Sequence, residues 1–212
     1  MTYRVLLLSL AAVGVFAQPA AADGFSGFYA GAQIGAARSD TDVRVTTPTA
    51  RASRGSDSTA LAGGVFAGYG ATVADFIYLG GEVSLGADGA KSKRQTLAGV
   101  VTQDESGLTL GVSGRVGAVI GEDSLIYGRI GAENRRSEFT TPAGRKDKTN
   151  VNGVVYGIGY ERLFGDSVSG RVELSRVDYR DKSFAGTGAA AGVRTTYDPS
   201  QTRLMVGAAI RF

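Results

Sequence analysis

Leu204, Val206, Ala208, Ile210 and Phe212 share one parity of the segment 202–212, and Arg203, Met205, Gly207, Ala209 and Arg211 share the other. A period of two predicts a β-strand with one bulky apolar face and one face of small or charged residues. About ten residues of tilted strand suffice to cross a bilayer, so the apolar face is destined either for a core or for lipid. The same alternation recurs upstream. It predicts eight strands, near residues 27–39, 59–70, 76–87, 108–120, 125–137, 149–162, 167–180 and 202–212. No segment carries a helical period.

The connections between these segments alternate in length. Those at 71–75, 121–124 and 163–166 are short, whereas those at 40–58, 88–107, 138–148 and 181–201 are long and polar. Short turns at one end and long loops at the other are the pattern of an outer-membrane barrel, and an even strand count puts both termini on the short-turn, periplasmic side. The predicted fold class is all-β, an eight-stranded antiparallel up-and-down transmembrane β-barrel. A water-soluble barrel of eight strands is the competing architecture.

Charge placement assigns the faces. An arginine facing lipid at the midplane costs about 2–4 kcal/mol, so charged positions within strands should face the lumen. Glu82, Arg115, Arg129, Glu133, Glu161, Arg171, Glu173 and Arg203 form that lumen set. The opposite parities read Ile77, Leu79, Val83, Leu85 in the third strand and Leu108, Leu110, Val112, Val116, Ile120 in the fourth. A soluble barrel would invert this, packing continuous aliphatic rows into a narrow interior. Phe28, Tyr69, Phe76, Tyr78, Tyr127, Tyr160, Phe164 and Phe212 lie near the short-turn ends, where an interfacial aromatic girdle is expected.

Composition sharpens this picture. The chain has 32 glycines, 4 prolines and no cysteine, so neither disulfides nor disorder is indicated. In a barrel just wide enough for side chains to fill, glycines such as Gly31, Gly35, Gly64, Gly68, Gly111, Gly117, Gly157, Gly159 and Gly207 make room for luminal Arg and Glu. Residues 1–22 carry Arg4, an apolar run and Ala20-Ala21-Ala22, the pattern of a signal peptide. The barrel domain is then 23–212, with 22 basic and 20 acidic residues once Arg4 is excluded. No basic run is interleaved with aromatics, so nucleic acid is not an expected partner.

Several segments resemble a known family. Gly27-Phe28-Tyr29-Ala30-Gly31-Ala32-Gln33-Ile34-Gly35 is similar to the opening strand of small outer-membrane β-barrel proteins. Gly157-Ile158-Gly159-Tyr160-Glu161-Arg162-Leu163-Phe164 resembles their sixth strand and turn, and Arg211-Phe212 resembles their assembly signal. That group includes OmpX, the opacity proteins, the OmpA transmembrane domain and α-proteobacterial surface antigens. The resemblance implies residence in the cell outer membrane, contact with its lipid and lipopolysaccharide, and handling by the barrel-assembly machinery through Phe212. It implies a monomer.

Candidate chemistry is sparse. The chain has no histidine, the residue best suited to proton transfer near neutral pH, so no Ser-His or Cys-His arrangement can form. Glu82 and Glu173 remain as carboxylates, and ion pairing with luminal arginines accounts for them. No phosphate-binding loop, zinc spacing or calcium loop occurs, and Gly157-Ile158-Gly159 lacks the third glycine of a dinucleotide site. No catalytic residue, cofactor or metal is expected. Arg135, Arg136, Arg145, Lys146 and Lys148 form a basic loop patch with a possible affinity for polyanions or a host surface. The expected function is a structural barrel with a plugged lumen that supports the envelope and presents surface loops. A surface adhesin and a narrow channel are the alternatives.

Overall fold

The computed structural model describes residues 24–46, 51–89, 95–97, 100–102, 108–140, 146–180, 182–185 and 194–212. Side chains are described at 24–40, 57–89, 108–135, 150–180 and 199–212. The expected signal peptide, residues 1–22, lies outside them.

The strands are β1 (Gly27–Thr46), β2 (Arg51–Val73), β3 (Ile77–Asp88), β4 (Gln95–Leu97), β5 (Val100–Thr102), β6 (Leu108–Ile120), β7 (Ser124–Thr140), β8 (Lys146–Leu163), β9 (Val168–Tyr179), β10 (Lys182–Ala185) and β11 (Arg194–Arg211). The main sheet runs β1-β2-β3-β6-β7-β8-β9-β11, and β11 pairs back with β1 to close an eight-stranded barrel. Every pairing is antiparallel. Closure satisfies the backbone groups laterally, the condition for a sheet to cross hydrocarbon. Short β10 continues the sheet beside β11, while β4 and β5 form a separate hairpin.

Turns at 74–76, 121–123 and 164–167 join strands at one end, called here the turn side. Gly121 and Gly165 supply the left-handed backbone conformations that the latter two require, with φ of 66° and 79°. The first turn sits later than the expected 71–75 because pairing of β2 with β3 persists to Val73↔Ile77.

On the opposite, loop side, strands run further than the alternation of apolar residues. β1 and β2 contain 20 and 23 residues, against 12 in β3. Segments read as loops within 40–58, 138–148 and 181–201 are therefore partly strand. An antiparallel pair keeps exchanging backbone hydrogen bonds above the membrane, where polar side chains suit both faces and the apolar signal disappears.

Register aligns the outer surface into continuous rows, such as Leu204, Leu174, Ile158, Gly128, Val116 and Leu79 across six neighbouring strands. Phe28, Tyr69, Phe76, Tyr160, Phe164 and Phe212 are exposed on this surface near the turn side. Tyr78 and Tyr127 are not part of this girdle. Both are almost fully buried inside, because they share parity with Glu82 and Arg129 respectively.

Candidate functional site in the barrel lumen

Inward parity brings the luminal side chains of all eight barrel strands together. Glu82, Arg115, Arg129, Glu133, Glu161, Arg171 and Glu173 are buried, and Arg203 is largely so. The arrangement divides into two layers.

The layer nearer the turns contains three carboxylates. Glu82 accepts from Arg171 at 2.6 Å and lies 3.7 and 3.6 Å from Arg115 and Arg129. Glu161 pairs with Arg115 at 2.6 Å and with Arg211 at 2.8 Å, and accepts from the Ser169 hydroxyl at 2.7 Å. Glu173 accepts from Arg129 at 2.8 Å and from the Tyr127 hydroxyl at 3.0 Å. Each carboxylate thus meets at least one guanidinium, which offsets the cost of taking both charges out of water.

Aromatic rings complete this layer. The Arg115 guanidinium lies 3.7 Å from the Tyr127 ring centre, with Tyr78 and Tyr29 at 5.4 and 5.6 Å. Arg171 stacks 3.4 Å over Phe66. Such contacts stabilise a desolvated cation that has outnumbered its carboxylates locally. The glycines are the complement of these rings. A Cβ at Gly159 would strike the Tyr127 ring, one at Gly70 the Tyr78 ring and one at Gly68 the Tyr29 ring. Space for tyrosine, more than for Arg and Glu, thus explains these positions.

Below this layer the mouth is closed. Phe25, just ahead of β1, packs with Tyr78, Leu125, Tyr127 and Leu163. Arg211 donates to the Phe25 carbonyl at 2.8 Å, tying the start of the barrel to its last strand.

The loop-side layer centres on Glu133, which receives both terminal nitrogens of Arg203, at 2.6 and 2.7 Å, and the Tyr179 hydroxyl at 2.8 Å. Arg203 also donates to Gln201, and Gln201 donates to Asp88 at 2.9 Å. Arg135 reaches Asp88 at 3.0 Å. A polar cavity of about 40 Å³, bordered by Ser84, Thr109, Arg129, Glu133 and Arg203, separates the layers. That volume suits one or two waters.

Tyr29, Tyr78, Tyr127, Tyr179, Asp88, Gln201 and Arg211 were absent from the luminal set read from sequence. Parity with Glu82 identifies Tyr78 and Asp88, parity with Arg129 identifies Tyr127, and parity with Arg203 identifies Gln201 and Arg211. Phe25 lies before any strand and carries no periodic signal.

Arg135 departs from the expected loop patch, because its parity on β7 turns it toward Asp88. Lys146 and Lys148 lie on the backbone of β8 and Arg136 on that of β7, but their side chains are outside the described set. Arg145 is outside the described residues altogether. Phe212 projects its ring outward, 79% exposed, while its amide donates to the Phe28 carbonyl at 2.9 Å. Among the described residues no cluster of acidic side chains is arranged to hold a metal ion.

A closed barrel with this apolar exterior and charged interior agrees with the comparison to protein families. The model of the outer membrane protein β-barrel domain matches residues 8–212. The chain belongs to that family. It is accordingly a protein of the outer membrane. Comparison with curated proteins gives no match.

Among solved structures, the outer membrane protein OprG from Pseudomonas aeruginosa is similar at 12% identity, covering 88% of this chain and 96% of that one, with a TM-score of 0.52. Neisserial surface protein A is similar at 13% identity, covering 88% and 98%, with a TM-score of 0.48. The attachment invasion locus protein Ail of Yersinia pestis is similar at 14% identity, covering 88% and 99%, with a TM-score of 0.45. At such identities the OprG likeness speaks to the fold alone.

Proposed function

We propose that this family member is a structural barrel of the outer membrane. Its plugged lumen supports the envelope, and its loop side presents polar strands and loops outside the cell. The observation that carries this reading is the two-layered luminal network, closed beneath by Phe25 and Arg211. A small barrel filled in this way has no route for a solute, so its contribution lies in its walls and its loops. Both termini then face the periplasm. Phe212, outward and terminal to β11, is the proposed recognition element for the barrel-assembly machinery, and lipopolysaccharide is the proposed neighbour on the loop side.

The reading assigns no catalysis. The sequence offers no histidine for proton transfer, and each buried luminal carboxylate engages arginine. Planar-bilayer recording of the refolded mature protein tests the plug. A silent bilayer containing folded protein is expected, and reproducible conductance steps would replace this reading with that of a narrow channel. Envelope support is tested in cells: deletion should raise detergent sensitivity, and re-expression should restore it. Equal sensitivity with and without the protein would end that part of the proposal.

A second reading is favoured by the length of β1, β2, β7, β8 and β11, which carry the chain well beyond a membrane's thickness on one side. Such projections suit contact with a host surface or a polyanion. Replacing residues 136–150 by a short turn should abolish binding to host cells while leaving the barrel folded; binding that survives removes the hairpin from this role.

A further inference from the structure

The cavity of about 40 Å³ between the two luminal layers has a wall of unusual composition. Five strands each send one polar side chain to it: Gln33 from β1, Ser84 from β3, Thr109 from β6, Arg129 from β7 and Ser175 from β9. Glycines beside them keep the hollow open. A Cβ at Gly111 would lie 2.6 Å from the Ser84 hydroxyl oxygen, and one at Gly157 would lie 2.8 Å from Ser175 Cβ.

The carboxylates around this cavity are already engaged. Asp88 accepts from Arg135 and Gln201, Glu133 from Arg203 and Tyr179, and Glu173 from Arg129 and Tyr127. The donors are not. Gln33 accepts from Arg171 at 2.6 Å through Oε1. Arginine only donates, so the Gln33 amide nitrogen is the end left over, without a partner among the described residues. The buried hydroxyls of Thr109 and Ser175 have no acceptor among them either. Arg129, 8% exposed, donates through Nη1 to Glu173, reaches Ser84 through Nη2 at only 3.5 Å, and has no partner for Nε among the described residues. Buried donors of this kind are met by water or by an ion.

Charge decides between the two. The turn-side layer holds four buried guanidiniums, Arg115, Arg129, Arg171 and Arg211, against three carboxylates, Glu82, Glu161 and Glu173. Arginine keeps its proton in a protein, so the surplus positive charge is permanent. Aromatic rings lie against Arg115, Arg171 and Arg211. Among the described residues no ring lies against Arg129, the guanidinium of this layer that borders the cavity. An uncompensated charge in a dry interior is the costly case. Water fills the space but leaves that charge in place, and a cation adds to it.

We propose that the cavity binds one small monovalent inorganic anion of the halide class. The anion accepts from the Gln33 amide, from Arg129 and from the hydroxyls of Ser84, Thr109 and Ser175, and it brings the turn-side layer to neutrality. The volume holds a monatomic anion, little larger than a water, and excludes organic anions. Such an ion is part of the plug and needs no path through the barrel. A silent bilayer is therefore compatible with the site full or empty, and the plug reading stands or falls separately.

The full mature chain, refolded and crystallised with bromide as the sole small anion, tests this by anomalous scattering. One bromide peak is expected between the layers, within hydrogen-bond reach of Gln33 and Arg129. Urea titrations in sodium chloride and in sodium gluconate at equal ionic strength give a second reading. Gluconate is too large for the cavity, so chloride alone should stabilise, with a gain that grows as the logarithm of its concentration above the dissociation constant. Gln33→Glu sets a carboxylate beside Arg171 and supplies the missing negative charge. That variant should lose both the bromide peak and the chloride response. Thr109→Val keeps the side chain's shape but removes one donor, and should need about tenfold more chloride for the same gain. Should Gln33→Glu not fold, Thr109→Val makes the test with the luminal charge unchanged. A cavity that holds only water in bromide, or a chloride response as large in Gln33→Glu or Thr109→Val as in the parent, overturns the proposal.

Discussion

Glu161 is the residue on which the turn-side layer depends most. It accepts from Arg115, Arg211 and Ser169 with both oxygens while almost fully buried. Removing it leaves two guanidiniums in a dry interior. Loss of one partner from a buried pair costs about 3–5 kcal/mol, far more than the pair's net stabilisation. Glu161→Ala should therefore lower the unfolding free energy obtained from urea titration of the barrel by an amount in that range. Arg38→Ala, which removes exposed pairs at 3.4 Å with Asp40 and Asp57, should change stability by about 0–1 kcal/mol. Equal effects of the two substitutions would show that water reaches Glu161.

Elements are set by parity and by what parity leaves room for. Gly159 on β8 and Gly81 on β3 look alike in sequence but lie on opposite faces of the wall. A Cβ at Gly159 would collide with Tyr127, whereas one at Gly81 meets nothing within 4 Å. Gly159→Ala should destabilise by about 1–3 kcal/mol through overpacking, and Gly81→Ala should be neutral or stabilise slightly by restricting the unfolded chain; paired urea titrations would distinguish them. The turn at 121–123 shows the same local logic. Ser124 and Arg162 both donate to the Asp123 carboxylate, at 2.8 Å each, and the Asp123 carbonyl accepts from Leu163 at 2.8 Å. The Ser124 hydroxyl first, then Arg162, hold the Asp123 carboxyl below its ordinary value. The contribution of this clamp is present above the unfolded-state value and is lost as pH falls through the lower folded one. An NMR titration should place the Asp123 midpoint below 3.8, and Ser124→Ala should move it upward.

At the scale of the whole molecule, the strands and their faces were legible because lipid penalises charge on one parity and the narrow lumen penalises bulk on the other. Arg115 and Glu82 each orient an entire strand by this rule. The strand extensions beyond the membrane were not legible, since above the bilayer no face is penalised and β1 continues through Asp40 without an apolar stripe. Phe25 was hidden for a different reason: it precedes every strand, and it is buried by side chains of β3, β7 and β8 that only the closed barrel brings around it. These features make the plug a series of seals with unequal structural weight. The loop-side pair of Glu133 and Arg203 can be removed together without leaving either charge unpartnered, although Tyr179 loses an acceptor. Such paired removal costs far less than breaking one side of a pair. Turn-side closure by Glu82, Glu161, Glu173 and Phe25 then remains intact. The double variant Glu133→Ala with Arg203→Ala should fold, show heat-dependent gel mobility like the parent, and stay silent in a planar bilayer. Stable conductance in that variant would locate the barrier in the loop-side layer alone and would leave Phe25 and Arg211 as packing rather than a seal.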